Sequence, residues 1–212
     1  MRPVDTYEAR TPLVVELDED DFRTRMHEAL SIYVAAMNYP VGTEYHRAPM
    51  WTEHLRRPGW QAVGAFAAGP GHTRTTPSSG APLVAVAYGY RGSPDQWWYQ
   101  QVKSGMQRSG WDEATIDATL GSYFELTELH VAPAAQGHRT GERLLRKLLA
   151  ERPERGVLLS TPEVADEDNR AWRLYRRLGF SDVLRHYHFA GDRRSFAVLG
   201  RGLPFAESGP SS

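Results

Sequence analysis

The stretch from Tyr123 to Leu149 constrains the fold of this chain most. Tyr123 to Val131 (YFELTELHV) is an aromatic and aliphatic run of strand length, and Pro133 closes it because proline cannot donate to a sheet ladder. After a short Pro/Ala-rich connection a helix is predicted from about Thr140 to Ala150, with Leu144, Leu145, Leu148 and Leu149 on one stripe. A strand that runs almost directly into an amphipathic helix calls for a sheet on which that helix buries its leucines.

The flanking sequence extends the same alternation. Leu13 to Leu17 is a short apolar strand. Asp20 or Asp21 offers the N-cap of a helix that carries Phe22, Met26, Ala29, Leu30, Tyr33, Ala36 and Met37 at helical spacing. Asn38-Tyr39-Pro40 ends it, since a residue before proline avoids the α region. A second helix is expected over about Glu44 to Leu55. Strands are predicted at Trp60 to Ala67 and Leu83 to Tyr90, joined by a Gly/Pro/Ser/Thr-rich hairpin loop at Gly69 to Pro82. Arg91 to Ser122 reads as an insertion with short helices around Gln96 to Arg108 and Asp112 to Leu120. Beyond the central segment come a buried strand at Val157 to Ser160 and a helix at Asn169 to Leu178, with Gly179 at its C′ position. Strands near Val183 to Phe189 and Ser195 to Leu199 flank a Gly191-Asp192 turn. No repeat or linker interrupts this order, so the expectation is one α/β (α+β) domain over residues 10–204. The polar tail 205–212 reads as a flexible end or an artificial remnant.

Charge and composition bear on partners. With 25 basic and 26 acidic side chains the net charge is −1, which provides no long-range field for nucleic acid or an anionic membrane. The absence of cysteine removes disulfides, thiolate metal sites and cysteine nucleophiles together. Met1 to Arg10 has no apolar signal core, and no run approaches the roughly 18 apolar residues of a membrane span. The expected location is cytoplasmic.

The connection Gln136-Gly137-His138-Arg139-Thr140-Gly141 opens the helix. The first N–H groups of a helix have no intrahelical partners and lie at the positive end of its dipole. Small residues there let a phosphate approach closely, so this turn is a credible pyrophosphate cradle. On this segment alone, a glycine-containing connection that binds nothing explains the residues as well. No glycine-rich loop ending in Gly-Lys-Ser/Thr occurs, and no Gly-x-Gly-x-x-Gly opens a helix after the first strand.

This segment resembles the cofactor-binding motif of the GNAT acetyltransferases, in which Gln or Arg opens a turn holding two small residues. Gln136 and Gly141 match the first and last motif positions; Arg139 stands where the central glycine is usual. Asn169, Ala171, Leu174, Tyr175, Gly179 and Phe180 are similar, in order, to a second motif of the family. Leu83 to Gly92 resembles its third strand, and the run through Trp97-Trp98-Tyr99 is similar to that of a group of actinobacterial members. The likeness covers roughly residues 10–204.

The resemblance implies a mixed, mostly antiparallel sheet of about seven strands flanked by helices, with a helical insertion before the fourth strand. It implies acetyl-CoA as co-substrate, lying in a splay between the strand ending at Val131 and the strand Val157 to Ser160. Main chain around Leu129, His130 and Val131 would meet the pantetheine, residues Gln136, Gly137, His138, Arg139, Thr140 and Gly141 the phosphates, and Asn169 and Tyr175 would complete the site. Arg139 could crowd the pyrophosphate, point outward, or place its guanidinium on a phosphate. Tyr175 matches the tyrosine that protonates the departing thiolate, though a helix tyrosine packed on the sheet is the plainer reading. The attacking amine needs a base, for which Glu125 and Glu128 are the candidates. Glu125 shares strand parity with Leu129 and Val131; Glu128 faces the other way, beside His130.

The remaining polar and aromatic residues read as follows. His130 is expected at the surface and His138 in the loop. His186 and His188 share a strand face, but no third ligand accompanies them, and no metal is expected. Trp97, Trp98, Tyr99 and Trp111 could form a lid over the acceptor, the core of the insertion, or a dimer contact. A homodimer could also use an apolar surface at Phe196 to Leu199. The expected acceptor is a small-molecule amine, with a protein amine second. A catalytically silent acyl-CoA-binding module is the alternative.

Overall fold

The computed structural model describes residues 11–67, 77 and 80–205. The first ten residues, most of the hairpin loop expected at Gly69 to Pro82, and the tail from Ala206 lie outside the described residues. Among the described residues, seven strands and six α-helices follow the predicted order: β1 (Leu13–Leu17), α1 (Glu19–Met37), α2 (Thr43–His54), β2 (Gln61–Phe66), β3 (Leu83–Arg91), α3 (Trp97–Arg108), α4 (Glu113–Leu120), β4 (Tyr123–Val131), α5 (Thr140–Leu149), β5 (Gly156–Pro162), α6 (Arg170–Arg177), β6 (Ser181–Tyr187) and β7 (Phe196–Gly202). One sheet has the order β1-β2-β3-β4-β5-β7-β6. β4 and β5 are parallel, whereas β1–β2, β5–β7 and β6–β7 are antiparallel. The described residues form two compact units, one of 11–55, 61–67, 77, 80–87 and 129–147, the other of 56–60, 88–128 and 148–205.

In the first unit, α1 is capped by Asp18, whose carboxylate accepts the Asp21 N–H at 2.8 Å. This corrects the cap predicted at Asp20 or Asp21. Those two residues, with Glu19, instead fill the first turn, where acidic side chains complement the helix dipole. Phe22, Ala29, Leu30 and Tyr33 form the buried stripe, and Asn38 ends the helix in the left-handed region at φ 52°.

In the second unit the aromatic insertion is core. Trp98, Tyr99, Val102 and Met106 of α3 pack with Ile116 and Leu120 of α4 and with Tyr123, Leu158, Leu184 and Val198 of the sheet, and Trp111 joins them. Of the four aromatics only Trp97 is largely exposed, so the group is no lid. Gly105 permits this packing, because a Cβ there would come within 2.6 Å of Leu184. The dimer surface expected at Phe196 to Leu199 is overturned: β7 runs between β5 and β6, and Ala197, Val198 and Leu199 are fully buried. Nor do His186 and His188 share a strand face. The β6–β7 register shifts between Leu184 and Tyr187, His186 has φ 52°, and β6 ends at Tyr187.

Candidate active site

The turn before α5 belongs to the first unit. The Ala132 N–H donates to the Val84 carbonyl at 2.9 Å, tying the end of β4 to β3. Gln136 then donates its side-chain amide to the Val131 carbonyl at 3.2 Å, bracing the strand end. Gly137 has φ 101°, and a Cβ there would meet nothing within 4 Å, so the space over the turn is open. Arg139 has φ 52°, a conformation that glycine adopts far more readily. Its carbonyl accepts the Arg143 N–H at 3.0 Å, so α5 starts directly behind it, and the N–H groups of Thr140, Gly141 and Glu142 form the first helical turn. Thr140 is buried, with its hydroxyl on the Ala135 carbonyl at 3.4 Å, whereas Gly137, His138 and Arg139 are exposed. Open space, positive-φ backbone, a helix N-terminus and an exposed guanidinium fit a diphosphate.

His130 is not the surface residue expected. It is buried, its ring 5.0 Å from that of Tyr33 in an edge contact, because α1 covers that side of the strand end. Leu129 and Val131 are half-buried.

In the second unit β4 and β5 pair only from Tyr123↔Gly156 to Glu125↔Leu158. Beyond that point Leu126–Glu128 and Leu159–Pro162 continue as strand without pairing to each other, while β5 keeps its ladder with β7 to Pro162. The parallel strands thus separate immediately after Glu125. Asn169 N-caps α6, its side-chain oxygen accepting the Trp172 N–H at 2.9 Å, and Gly179 follows the helix at φ 78°. Tyr175 on α6 is buried, with its ring 5.5 Å from Phe180. Burial, followed by the charge of Glu128, holds its phenol well above the ordinary tyrosine value, so it stays a neutral donor. Glu128 is half-buried on the strand face opposite Glu125.

Glu125 is only 5% exposed. The Tyr90 hydroxyl donates to its Oε1 at 3.3 Å, and its Oε2 is buried without a hydrogen-bond partner. Desolvation pushes the carboxyl up to about 8, against the lowering effects of the Tyr90 hydrogen bond and the Arg57 charge. Glu125 therefore releases a proton only above neutrality, the range in which a base for an ammonium ion must work. The two glutamates fall into separate groups, Glu128 near Tyr175 and Glu125 near Tyr90, Tyr123 and Arg57. Sequence reasoning missed Tyr90, Tyr123 and Arg57. Strand alternation alone aligns Tyr123, Glu125 and Thr127 and could have found Tyr123; Tyr90 and Arg57 reach Glu125 only through the fold. A cleft of about 280 Å³ in this unit, lined partly by Trp111, Ser122, Arg155 and Arg201, contains neither Glu125 nor Tyr175, so its size does not make it the reacting site.

Comparison with known proteins decides the family. A profile describing an acetyltransferase (GNAT) domain matches residues 99–182. A GCN5-like protein acetyltransferase of Mycobacterium tuberculosis is 57% identical over 201 residues, covering 90% of this chain and 98% of that protein. The chain belongs to the GNAT acetyltransferase family. It is an acyltransferase by that membership, and solved structures agree on the fold. A GNAT-family acetyltransferase from Desulfovibrio desulfuricans superposes with a TM-score of 0.58 at 13% identity, covering 90% of this chain and 98% of that one. Arabidopsis thaliana NAA60 in complex with acetyl-CoA gives 0.55 at 15% identity, over 91% and 99% of the two chains. The ribosomal-protein-S18-alanine N-acetyltransferase of Escherichia coli gives 0.53 at 16%, over 95% and 99%. Among the described residues of this GNAT chain, no three His, Asp or Glu side chains gather as a metal site, and no helix is long and apolar enough to cross a membrane.

Proposed function

We propose that this GNAT acetyltransferase moves the acetyl group of acetyl-CoA onto a primary amine by direct attack in a ternary complex. Glu125 acts as the base and Tyr175 as the acid. The carrying observation is the buried Glu125 carboxyl, with one oxygen held by Tyr90 and the other unpartnered, at the point where β4 and β5 part. The exposed turn Gly137–Arg139 and the start of α5 fit the diphosphate, with the Arg139 guanidinium on a phosphate oxygen. Main-chain N–H groups near Leu129 and Val131 polarise the thioester carbonyl.

Protons balance across the two groups. The incoming ammonium gives one proton to Glu125, and the neutral nitrogen attacks the carbonyl carbon. The C–N bond forms, the C–S bond breaks, and the thiolate takes a proton from Tyr175. The second amine proton makes good the one Tyr175 gave up, and Glu125 returns its own to solvent. Because Glu125 and Glu128 lie on opposite faces of β4, a thioester in the gap is attacked from the Glu125 face while sulfur leaves towards Tyr175.

For the acceptor, the name of the 57% identical relative favours a protein amine over the small-molecule amine expected from sequence. The test incubates the protein and acetyl-CoA with small alkylamines and with lysine-containing peptides, following thiol release and acetylated product together. Product on peptides supports the reading. Product on small amines alone reverses the acceptor order, and tight acetyl-CoA binding without product on any amine would establish a silent module instead.

A further inference from the structure

Three residues around Glu125 have no part in the reaction described so far. The Tyr90 phenol donates to Oε1, and the Thr127 hydroxyl, on the same strand face, donates to the Glu125 main-chain carbonyl at 3.3 Å. The Tyr123 hydroxyl is buried without a hydrogen-bond partner and feels the charge of Glu125. The Nε of Arg57 is likewise buried without a partner, and the Arg57 charge acts on Glu125. Two glycines let the surroundings of this group pack closely: a Cβ at Gly89 would stand 2.1 Å from the Glu125 main-chain carbonyl oxygen, and one at Gly92 would stand 1.9 Å from the Tyr123 ring. Buried polar atoms are nearly always paired, so three orphaned atoms about one carboxyl mark a place built to receive a hydrogen-bonding group.

We propose that Tyr90 is a positioning residue for Glu125, holding its carboxylate by Oε1 while the nearby charge of Arg57 supports it, so that Oε2 and the Tyr123 hydroxyl together receive the acceptor nitrogen. This rests on the reading of Glu125 as the base. An ammonium ion donates one N–H to Oε2 and a second to the Tyr123 oxygen, then passes the first proton to Oε2. The nitrogen keeps its contact with Tyr123, which fixes its direction as its lone pair is exposed. Tyr90 stabilises the charged carboxylate by donating to it, and Arg57 does so by its field. The titratable and charged groups facing Glu125 are Arg57, Tyr90 of β3 and Tyr123 of β4, with Tyr99 of α3 next to Tyr123. Nearby Arg152 is paired with Glu154 and stacked on Phe124, the strand neighbour of Glu125 on the opposite face.

Infrared difference titration of the whole protein, wild type against Glu125→Gln, reads the carboxyl without any acceptor. The wild-type band titrates near pH 8. Tyr90→Phe and Arg57→Leu each move it to higher pH, because each removes an interaction that favours the charged form; Arg57→Lys moves it back. Tyr123→Phe leaves the titration in place but raises the KM of the amine probe, an alkylamine or lysine peptide, several-fold more than it lowers kcat. A titration unmoved in both Tyr90→Phe and Arg57→Leu, with melting temperatures intact, overturns the proposal. The base reading stands separately, on loss of turnover in Glu125→Gln.

Discussion

Glu125 makes the stability of the fold depend on pH in a way that one substitution removes. Its folded carboxyl sits at about 8 against an ordinary 4.5, with desolvation the leading cause. Between those values the folded chain holds a proton that the unfolded chain releases, so stability falls as pH rises through the window and levels off above about 8. The gap of roughly 3.5 pH units, at about 1.4 kcal/mol each, sets a ceiling of about 5 kcal/mol on the effect. Glu125→Gln keeps an acceptor for Tyr90 and cannot ionise. Denaturant unfolding of both proteins from pH 5 to pH 9 isolates the term, since every other titration cancels in the difference. The variant should gain on the wild type by about 3–4 kcal/mol between pH 5 and pH 8, which is about 10 °C in melting temperature for a chain of this size. Parallel stability curves would mean that Glu125 ionises as freely in the folded chain as in the unfolded one, and the argument for a buried base would fail.

Three further perturbations address other parts of the account. Tyr175→Phe should lower kcat by about 100-fold while leaving acetyl-CoA affinity within about twofold by calorimetry, because the ring packs on Phe180 with or without its hydroxyl. Arg139→Gly should weaken acetyl-CoA binding several-fold yet leave thermal stability level, since glycine suits the left-handed backbone but removes the guanidinium; tighter binding would show that the arginine crowds the turn. Gly89→Ala should cost about 3 kcal/mol in unfolding experiments, because its Cβ would meet the Glu125 carbonyl oxygen at 2.1 Å; a neutral effect would remove the case for close main-chain packing beside Glu125.

The sequence carried the elements well where periodicity and punctuation agreed. β1 and β4 have the predicted bounds, and Asn169 and Gly179 bracket α6 as cap and stop. It failed where three aspartates compete for one cap: Asp18 holds α1, although Asp20 and Asp21 are of the same type. It failed again at His130, where alternation gives the strand face but not which element covers it, and Tyr33 of α1 does. Phe196 to Leu199 looked like surface because nothing local reveals that the last strand inserts between β5 and β6. At the candidate site, Glu125, Tyr175 and the Gln136–Gly141 turn stand at motif positions readable in the sequence. Their surroundings were not, since Tyr90 lies 35 residues from the carboxyl it holds. Arg139 departs from the family pattern in side chain while keeping the backbone that glycine would adopt.

The central claim, that Glu125 drives acetyl transfer to an amine, is tested most directly by the rate of acetylated-amine formation in wild type and Glu125→Gln from pH 6 to pH 10. The account predicts a wild-type kcat/KM that rises through about pH 8 to a plateau, and a variant slower by about 100-fold that lacks that step. Equal rates, or the same pH profile in both proteins, would contradict it.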